Sequence, residues 1–226
     1  AGRKDEVDFM KKMPVFEYVE IGKAMARSKK PPTSTKWLDN WKMTDKGEWQ
    51  VRSRLVGRDF KPQGDDGRED LFAAMPPLEA KKLLFRMAVA GKDERRRQGR
   101  LEAKLMFIDV RKAHLNAKCN EEVYVELPEE FGKPGHVGRL VHWLYGMRGA
   151  AAGWEDEYSE KFESIGYIRG IAAPTTFFNE DTCVRLVVHG DDFSFCGSRT
   201  ELDKDWHGLP TFIMKAKRFK LTAQPT

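Results

Sequence analysis

The stretch VRLVVHGDDFSFCG at residues 184–197 is the part of the sequence that decides the fold. Its first half is an apolar strand, and its second half alternates apolar and polar side chains as a half-buried strand does. Gly190, Asp191 and Asp192 lie between the two halves, and Gly and Asp are residue types that favour tight turns. The stretch therefore predicts a β-hairpin with two adjacent carboxylates at its tip. Taken alone, the two acids are more readily explained by turn formation than by function.

A third carboxylate closes another apolar strand upstream. Residues 105–108 are Leu-Met-Phe-Ile, and Asp109 follows them directly. A carboxylate beside a buried strand is costly without a partner. Asp109 is available as a third carboxylate beside the acids of the hairpin, and clustered carboxylates favour a cation between them. Three such carboxylates would bind Mg²⁺, which prefers oxygen ligands, and a pair of these ions can promote in-line phosphoryl transfer. This reasoning does not separate a polymerase from a nuclease or a phosphatase.

The remaining elements are helices and strands in mixed order. The predicted helices are at residues 5–13, 77–90 and 152–165. Two further strands are predicted at residues 36–42 and 48–60, and residues 123–125 and 140–144 are strand or turn candidates. One face of the second helix carries Ala80, Leu84, Met87 and Ala88. The third helix has an apolar stripe, expected in the core, of Trp154, Tyr158, Phe162 and Ile165. An α+β fold with an antiparallel sheet follows, with the strand before Asp109 beside the 184–197 hairpin.

Composition limits the classes of protein that remain. The chain has 226 residues, a formal net charge of +5 and a pI near 9.0, which permits a phosphate-rich partner without requiring one. Its three cysteines lack the spacing of a zinc site or a disulfide framework, so we expect reduced, mostly buried thiols in an intracellular protein. No signal peptide and no apolar run of about 20 residues is present, which argues against a membrane protein.

Two further expectations concern the charged segment and the chain ends. The charged run at residues 92–100 is more typical of a solvated loop than of a nucleic-acid contact. Because the first residue is Ala1 rather than Met, we expect a piece of a longer protein.

Five blocks of the sequence resemble blocks of copia-type retrotransposon reverse transcriptases. IDVRKAHLN at residues 108–116 is similar to D-V-K-T-A-F-L-N, and EEVYVELP at residues 121–128 is similar to E-E-V-Y-M-E-Q-P. LYGMR with the following AGW, at residues 144–154, resembles L-Y-G-L-K-Q-A-P-R-A-W. HGDD at residues 189–192 stands where the family has Y-V-D-D, and RSRLVGRDFK at residues 52–61, with Lys-Trp upstream, resembles K-A-R-L-V-A-R-G-F-K. The five blocks fall in family order, which indicates kinship.

The resemblance implies the fingers and palm of a right-hand polymerase, with the thumb absent or truncated. A fingers-like part with a β-hairpin would occupy residues 1–75, and a palm with interleaved fingers segments would occupy residues 76–200. Residues 201–226 would begin the connection between palm and thumb. No ribonuclease H segment is recognised.

The resemblance also implies a metal site in the palm. Asp109 and Asp191 would be the main metal ligands and catalytic carboxylates, with Asp192 beside them. The carbonyl of Val110 would complete the metal shell. The implied cofactor is a pair of Mg²⁺ ions, with Mn²⁺ as the alternative.

A second group of residues would bind the nucleotide. Arg52 and Arg54 share one face of a strand and would contact the incoming triphosphate, although an exposed strand face explains them equally well. His114 falls where the family has the aromatic residue that excludes a ribose 2′-hydroxyl. Gly146 would lie under the nascent base pair.

The chain departs from the family pattern at several positions. His114 is smaller and more polar than the family's aromatic residue. Gly149 replaces a Gln and Ala151 a Pro, and His189-Gly190 replaces Tyr-Val before the acids. These departures concern nucleotide choice and rate, whereas all three acids are present.

The expected function is therefore an RNA-directed DNA polymerase domain of a retrotransposon polyprotein. Its partners would be an RNA or DNA template with a primer, deoxynucleoside triphosphates, and neighbouring integrase and ribonuclease H domains. Its place would be an intracellular particle or the nucleus, with no membrane. The alternatives are an inactive remnant that at most binds nucleic acid and an unrelated metal-dependent phosphoesterase, which the ordered blocks disfavour.

Overall fold

The computed structural model describes residues 2–28, 30–44, 46–60, 73–90, 103–208 and 214–217. In these ranges the chain forms five α-helices, two short 3₁₀ helices and eleven strands. All strand pairs of the described sheets are antiparallel. The expected mixture of helices with antiparallel sheets is therefore confirmed. The charged segment at residues 92–100 lies outside the described residues.

The elements have the following bounds. The helices are α1 (Gly2–Lys12), α2 (Ile21–Ser28), α3 (Leu78–Val89), α4 (Ala150–Ser164) and α5 (Arg199–Gly208). The 3₁₀ helices are Ala113–Asn116 and Glu129–Phe131. The first strands are β1 (Phe16–Glu20), β2 (Thr35–Met43), β3 (Trp49–Gly57), β4 (Ala103–Val110), β5 (Tyr124–Glu126) and β6 (His136–Leu140). The later strands are β7 (Tyr167–Arg169), β8 (Thr176–Asn179), β9 (Arg185–His189), β10 (Asp192–Ser198) and β11 (Met214–Lys217).

The chain divides into two compact units, each of which is described by itself. Unit 1 consists of Ala1–Phe72 and His114–Trp154, and unit 2 consists of Ala73–Ala113 and Glu155–Thr226. The expected division into residues 1–75, 76–200 and 201–226 stays a prediction.

Unit 1 contains a two-stranded hairpin and a three-stranded sheet. The hairpin pairs β2 with β3, as the sequence predicts, and the sheet has the strand order β1-β6-β5. Helix α1 packs on β3 so closely that a Cβ atom at Gly2 would overlap the carbonyl of Val51. Arg3 on the same helix binds Asp39 at 2.7 Å and Glu130 at 3.0 Å, which ties α1 to the hairpin.

Unit 2 is built on a six-stranded sheet with the order β11-β4-β10-β9-β8-β7. On one face, the ring of Phe162 from α4 packs at 5.6 Å from Phe193 and 5.7 Å from Phe177. On the other face, Leu84 of α3 forms a buried cluster with Val187 and Cys196. Because successive side chains of a strand point to opposite faces, β10 can supply both cores at once.

The cysteines differ from expectation in burial. All three are free thiols, but only Cys196 is buried, whereas Cys119 is partly buried and Cys183 is exposed. Cys183 lies just before β9 with φ of 55°, a left-handed backbone conformation typical of surface turns. The expectation that the thiols are mostly buried is therefore wrong for two of the three.

Candidate metal centre and nucleotide-binding residues

The three predicted metal-binding acids are brought together by two neighbouring strands of unit 2. Asp109 is the penultimate residue of β4 and Asp192 is the first residue of β10, and the strand register places them directly opposite each other. Asp191 precedes Asp192 in the turn that joins β9 to β10. The strand that ends near Asp109 therefore lies beside the hairpin, as the sequence predicts.

The turn itself is as short as a hairpin turn can be. His189 and Asp192 are cross-strand partners, so only Gly190 and Asp191 lie between them. Gly190 has φ of 64° while Asp191 does not have a positive φ, which is the combination that a type II′ turn requires. The carbonyl of Asp191 accepts the backbone N–H of Val110 at 2.9 Å. This hydrogen bond ties the tip of the hairpin to the end of β4.

The carboxylates are close enough to share a cation. One oxygen atom from each of Asp109, Asp191 and Asp192 lies within 4.8 Å of the others. Asp109 is partly buried, and the other two are exposed. An all-oxygen set of hard ligands on a partly open surface suits Mg²⁺, which keeps waters or substrate phosphates in its shell. The residues present therefore fit the implied metal.

The electrostatics of the cluster favour a bound cation. Burial raises the pKa of the Asp192 carboxyl, and the negative charges of Asp191 and Asp109 raise it further. Lys81 and His189 act in the opposite direction and lower the same pKa. Because neighbouring carboxylates repel one another, a cation between them would relieve the repulsion.

Val110 is the fourth predicted member of this centre. It is the last residue of β4, its side chain is buried, and its N–H is held by Asp191 as described above. The carbonyl of Val110 is a candidate ligand, because Val110 directly follows Asp109 at the end of β4.

The two predicted arginines lie on β3 in unit 1. Arg52 pairs with Asn40 and Arg54 pairs with Leu38, so both side chains are on one face of the hairpin. Arg52 is exposed, whereas Arg54 is partly buried with its guanidinium 5.8 Å from the centre of the Tyr145 ring. The Nε atom of Arg54 is buried and has no hydrogen-bond partner among the described residues. This orphaned donor is suited to an anionic ligand.

His114 and Gly146 lie around the same tyrosine. The ring of His114 packs at 5.1 Å from that of Tyr145. Gly57 donates its N–H to the carbonyl of Tyr145 at 2.7 Å, and this places the two backbones in close contact. Gly146 has φ of 78°, and a Cβ atom there would overlap the carbonyl of Gly57. Only glycine satisfies both conditions at position 146.

The predicted site residues thus form two groups, one in each unit. Asp109, Val110, Asp191 and Asp192 lie together in unit 2. Arg54, His114 and Gly146 lie around Tyr145 in unit 1, and Arg52 is on the same strand face as Arg54.

Two features of these groups were not predicted from the sequence. Lys81 of α3 lies 2.9 Å from the Nδ1 atom of His189, the residue that precedes the turn. Tyr145, which contacts both Arg54 and His114, belongs to the quoted LYGMR block but received no role. The sequence could have indicated Tyr145, because this residue lies within a block shared with the family. Lys81 has no such indication, because a lysine in a charged helix is usually solvated.

Comparison with known proteins places these groups in a family context. Residues 18–222 match the profile of a family described as reverse transcriptase (RNA-dependent DNA polymerase). Over 203 residues the chain is 23% identical to the retrovirus-related Pol polyprotein from transposon TNT 1-94 of Nicotiana tabacum, which covers 86% of this chain and 14% of that protein. It is also 28% identical over 102 residues to the retrovirus-related Pol polyprotein from transposon RE2 of Arabidopsis thaliana, covering 43% of this chain and 7% of that protein. The chain therefore spans a small part of the length of these relatives.

No helix in the described ranges has both the length and the apolar character needed to cross a bilayer.

Proposed function

The chain belongs to the reverse transcriptase (RNA-dependent DNA polymerase) family, of the copia retrotransposon type, and on this basis we propose that it extends a primer by metal-dependent nucleotidyl transfer. The observation that carries the proposal is the convergence of Asp109, Asp191 and Asp192 within 4.8 Å. The substrates are an RNA or DNA template with its primer and deoxynucleoside triphosphates.

The acids of unit 2 would hold the metal. Asp109 and Asp191 are the main ligands, Asp192 lies beside them, and the carbonyl of Val110 completes the protein's contribution. A pair of Mg²⁺ ions, or Mn²⁺ in their place, supplies activation of the primer hydroxyl and stabilisation of the leaving phosphate oxygen. The β4–β10 pairing fixes the backbones of Asp109 and Asp192 relative to each other, and the hydrogen bond from Val110 to Asp191 holds the third acid, which favours a preorganised ligand set.

The cluster around Tyr145 in unit 1 would bind the nucleotide. Arg52 and Arg54 donate charge-assisted hydrogen bonds to the triphosphate, and the orphaned Nε atom of Arg54 supports this role. His114 contacts the sugar edge, and Gly146 lies under the nascent base pair, where the absence of a side chain leaves room.

In this proposal, each unit contains part of the fingers or the palm of a right-hand polymerase. The β2–β3 hairpin belongs to the fingers, and the six-stranded sheet of unit 2 belongs to the palm. The thumb and the integrase and ribonuclease H domains would belong to a longer polyprotein, a proposal supported by the two relatives, which are Pol polyproteins of which this chain covers 14% and 7%.

Primer extension on an RNA template with Mg²⁺ tests the proposal. We expect extension by this chain, or by a version lengthened at its C-terminus, and none after the metal is chelated. Asp109→Asn and Asp191→Asn should each lower the rate by about a hundredfold or more, because a metal ligand is lost. Asp181→Asn is the matched control, since Asp181 is an exposed acid of a turn in the same unit.

The outcomes separate the polymerase from the inactive remnant. Template–primer binding without extension in either version would favour the inactive remnant. The departures from the copia-type blocks at His114 and at His189-Gly190 are the reason for considering this alternative. Extension that survives Asp109→Asn and Asp191→Asn unchanged would remove the three acids from the reaction.

A further inference from the structure

The contact between Lys81 and His189 has a chemical consequence for the histidine ring. The Nζ atom of Lys81, on α3, lies 2.9 Å from Nδ1 of His189 at the end of β9, and both side chains are partly buried. Both residues belong to unit 2, where the register also pairs His189 with Asp192. The imidazole therefore stands beside the acids, with one of its two nitrogens already engaged.

The donor and acceptor roles in this contact are decided by the lysine. An ammonium group has three donors and no acceptor, so Nδ1 of His189 must accept the hydrogen bond. A neutral imidazole that accepts at Nδ1 carries its proton at Nε2. Lys81 therefore selects one of the two tautomers, the one with a donor at Nε2.

The selected donor is open to a ligand. The contact with Lys81 is the one side-chain hydrogen bond that His189 makes to the described residues, so its Nε2 atom has no hydrogen-bond partner among them. The copia-type block has a Tyr at this position, which also carries a donor at the far end of a ring. A neutral His at this position keeps a donor at the far end of its ring only in the tautomer that is protonated at Nε2.

We propose that Lys81 is a positioning residue that fixes the Nε2–H tautomer of His189, and that this N–H donates to a phosphate oxygen of the bound substrate beside the acids. The phosphate belongs either to the primer strand or to the incoming nucleotide, and the same hydrogen-bond chemistry serves both. The tautomer part stands on the geometry alone, whereas the phosphate part rests on the proposed polymerase function.

The tautomer part is tested by ¹⁵N NMR of the five histidine side chains in the substrate-free chain. We expect His189 to show a protonated Nε2 and an unprotonated Nδ1, with its signals identified by their loss in His189→Tyr. Lys81→Met should give a mixture of tautomers. Lys82→Met, the adjacent exposed lysine of the same helix, should leave the signals unchanged. An unchanged tautomer in Lys81→Met would overturn the inference.

The phosphate part is tested by binding to an RNA template with a chain-terminated primer, followed by binding of the next nucleotide to that complex. Compared with Lys82→Met, Lys81→Met should weaken one of the two dissociation constants by about fivefold, as expected for the loss of one hydrogen bond. A rise in the first constant assigns the phosphate to the primer strand, and a rise in the second assigns it to the nucleotide. If neither rises, the phosphate contact is refuted.

A rescue experiment separates positioning from a simple loss of charge. In a His189→Tyr background the ring carries its own donor, so Lys81→Met and Lys82→Met should bind equally well. A Lys81 effect that persists in this background would show that the lysine acts on the substrate directly, against the inference. If the parent chain binds no template–primer, the proposed function fails together with the phosphate part, while the NMR result still decides the role of Lys81.

Discussion

Gly149 stands where the copia-type block has a Gln, and its neighbourhood explains the departure. A Cβ atom at position 149 would overlap the six-membered ring of the Trp143 indole, and a Cβ atom at Gly153 would overlap its five-membered ring. Trp143 is buried, so its indole fills the space that side chains at these two positions would take. The loss of the Gln is therefore compensated by packing. The structure offers no comparable account of Ala151, which is exposed.

The replacement at His114 leads to a prediction about sugar selectivity. A bulkier ring without polar atoms should both clash with a 2′-hydroxyl and deny it a hydrogen bond. We expect His114→Phe to increase the preference for deoxyribonucleotides by about fivefold or more. The measurement is incorporation of each nucleotide type opposite the same RNA template. His142→Phe, another partly buried histidine of unit 1, is the control. Equal selectivity in two active proteins would remove His114 from the nucleotide site.

At the scale of elements, α3 provides a direct test of packing. Leu84 is 3% exposed and lies in the cluster with Val187 and Cys196, whereas its neighbour Leu83 is 58% exposed. Leu84→Ala should lower the free energy of unfolding by about 2–4 kcal/mol, because it removes buried methyl groups and leaves a cavity. Leu83→Ala should change it by less than about 0.5 kcal/mol. Chemical denaturation of both variants makes the comparison, and similar losses would contradict the orientation of α3.

Helix α3 also shows what could be predicted from the sequence. Its apolar residues recur at helical spacing, and the structure places Leu84 in the core with Ala80, Met87 and Ala88 packed around it, as expected. The β2–β3 hairpin and helix α4 were predicted for the same reason, since a local period or turn signal defines each. Their observed bounds differ from the predicted ones by a few residues at the ends.

The elements that were missed depend on contacts between distant residues. Strand β1 runs directly into α2 at Ile21, with no turn residues between them to mark the change. Its pairing partner β6 is more than a hundred residues away, and β7 and β8 are only three and four residues long. The same holds within the candidate site. The three acids have local strand signals, whereas the approach of Lys81 to His189 exists only in the folded chain.

At the scale of the whole molecule, the kinship predicted from five ordered blocks is confirmed by the family match over residues 18–222. A net charge of +5 is compatible with the template–primer binding proposed above. Affinity for template–primer should fall about tenfold or more between about 50 and about 200 mM salt, since phosphate contacts release counterions. Arg52→Ala should reduce the slope of this dependence by about one, whereas Lys12→Ala, outside the predicted site, should not. Filter binding across a salt series measures both slopes, and parallel lines for Arg52→Ala and the parent would place Arg52 away from phosphate.

The contrast between Gly146 and the acid cluster has an evolutionary consequence. Gly146 is constrained by the fold itself, because any side chain there meets the backbone of Gly57. The fold does not require the three acids in this way. Asp191 and Asp109 disfavour the charge on Asp192, and a neutral amide in place of an acid would relieve the repulsion. Genomic copies freed from selection for transposition should therefore lose an acid of the triad before they lose Gly146. Sibling copies that keep all three acids despite drift elsewhere would mark lineages still under such selection.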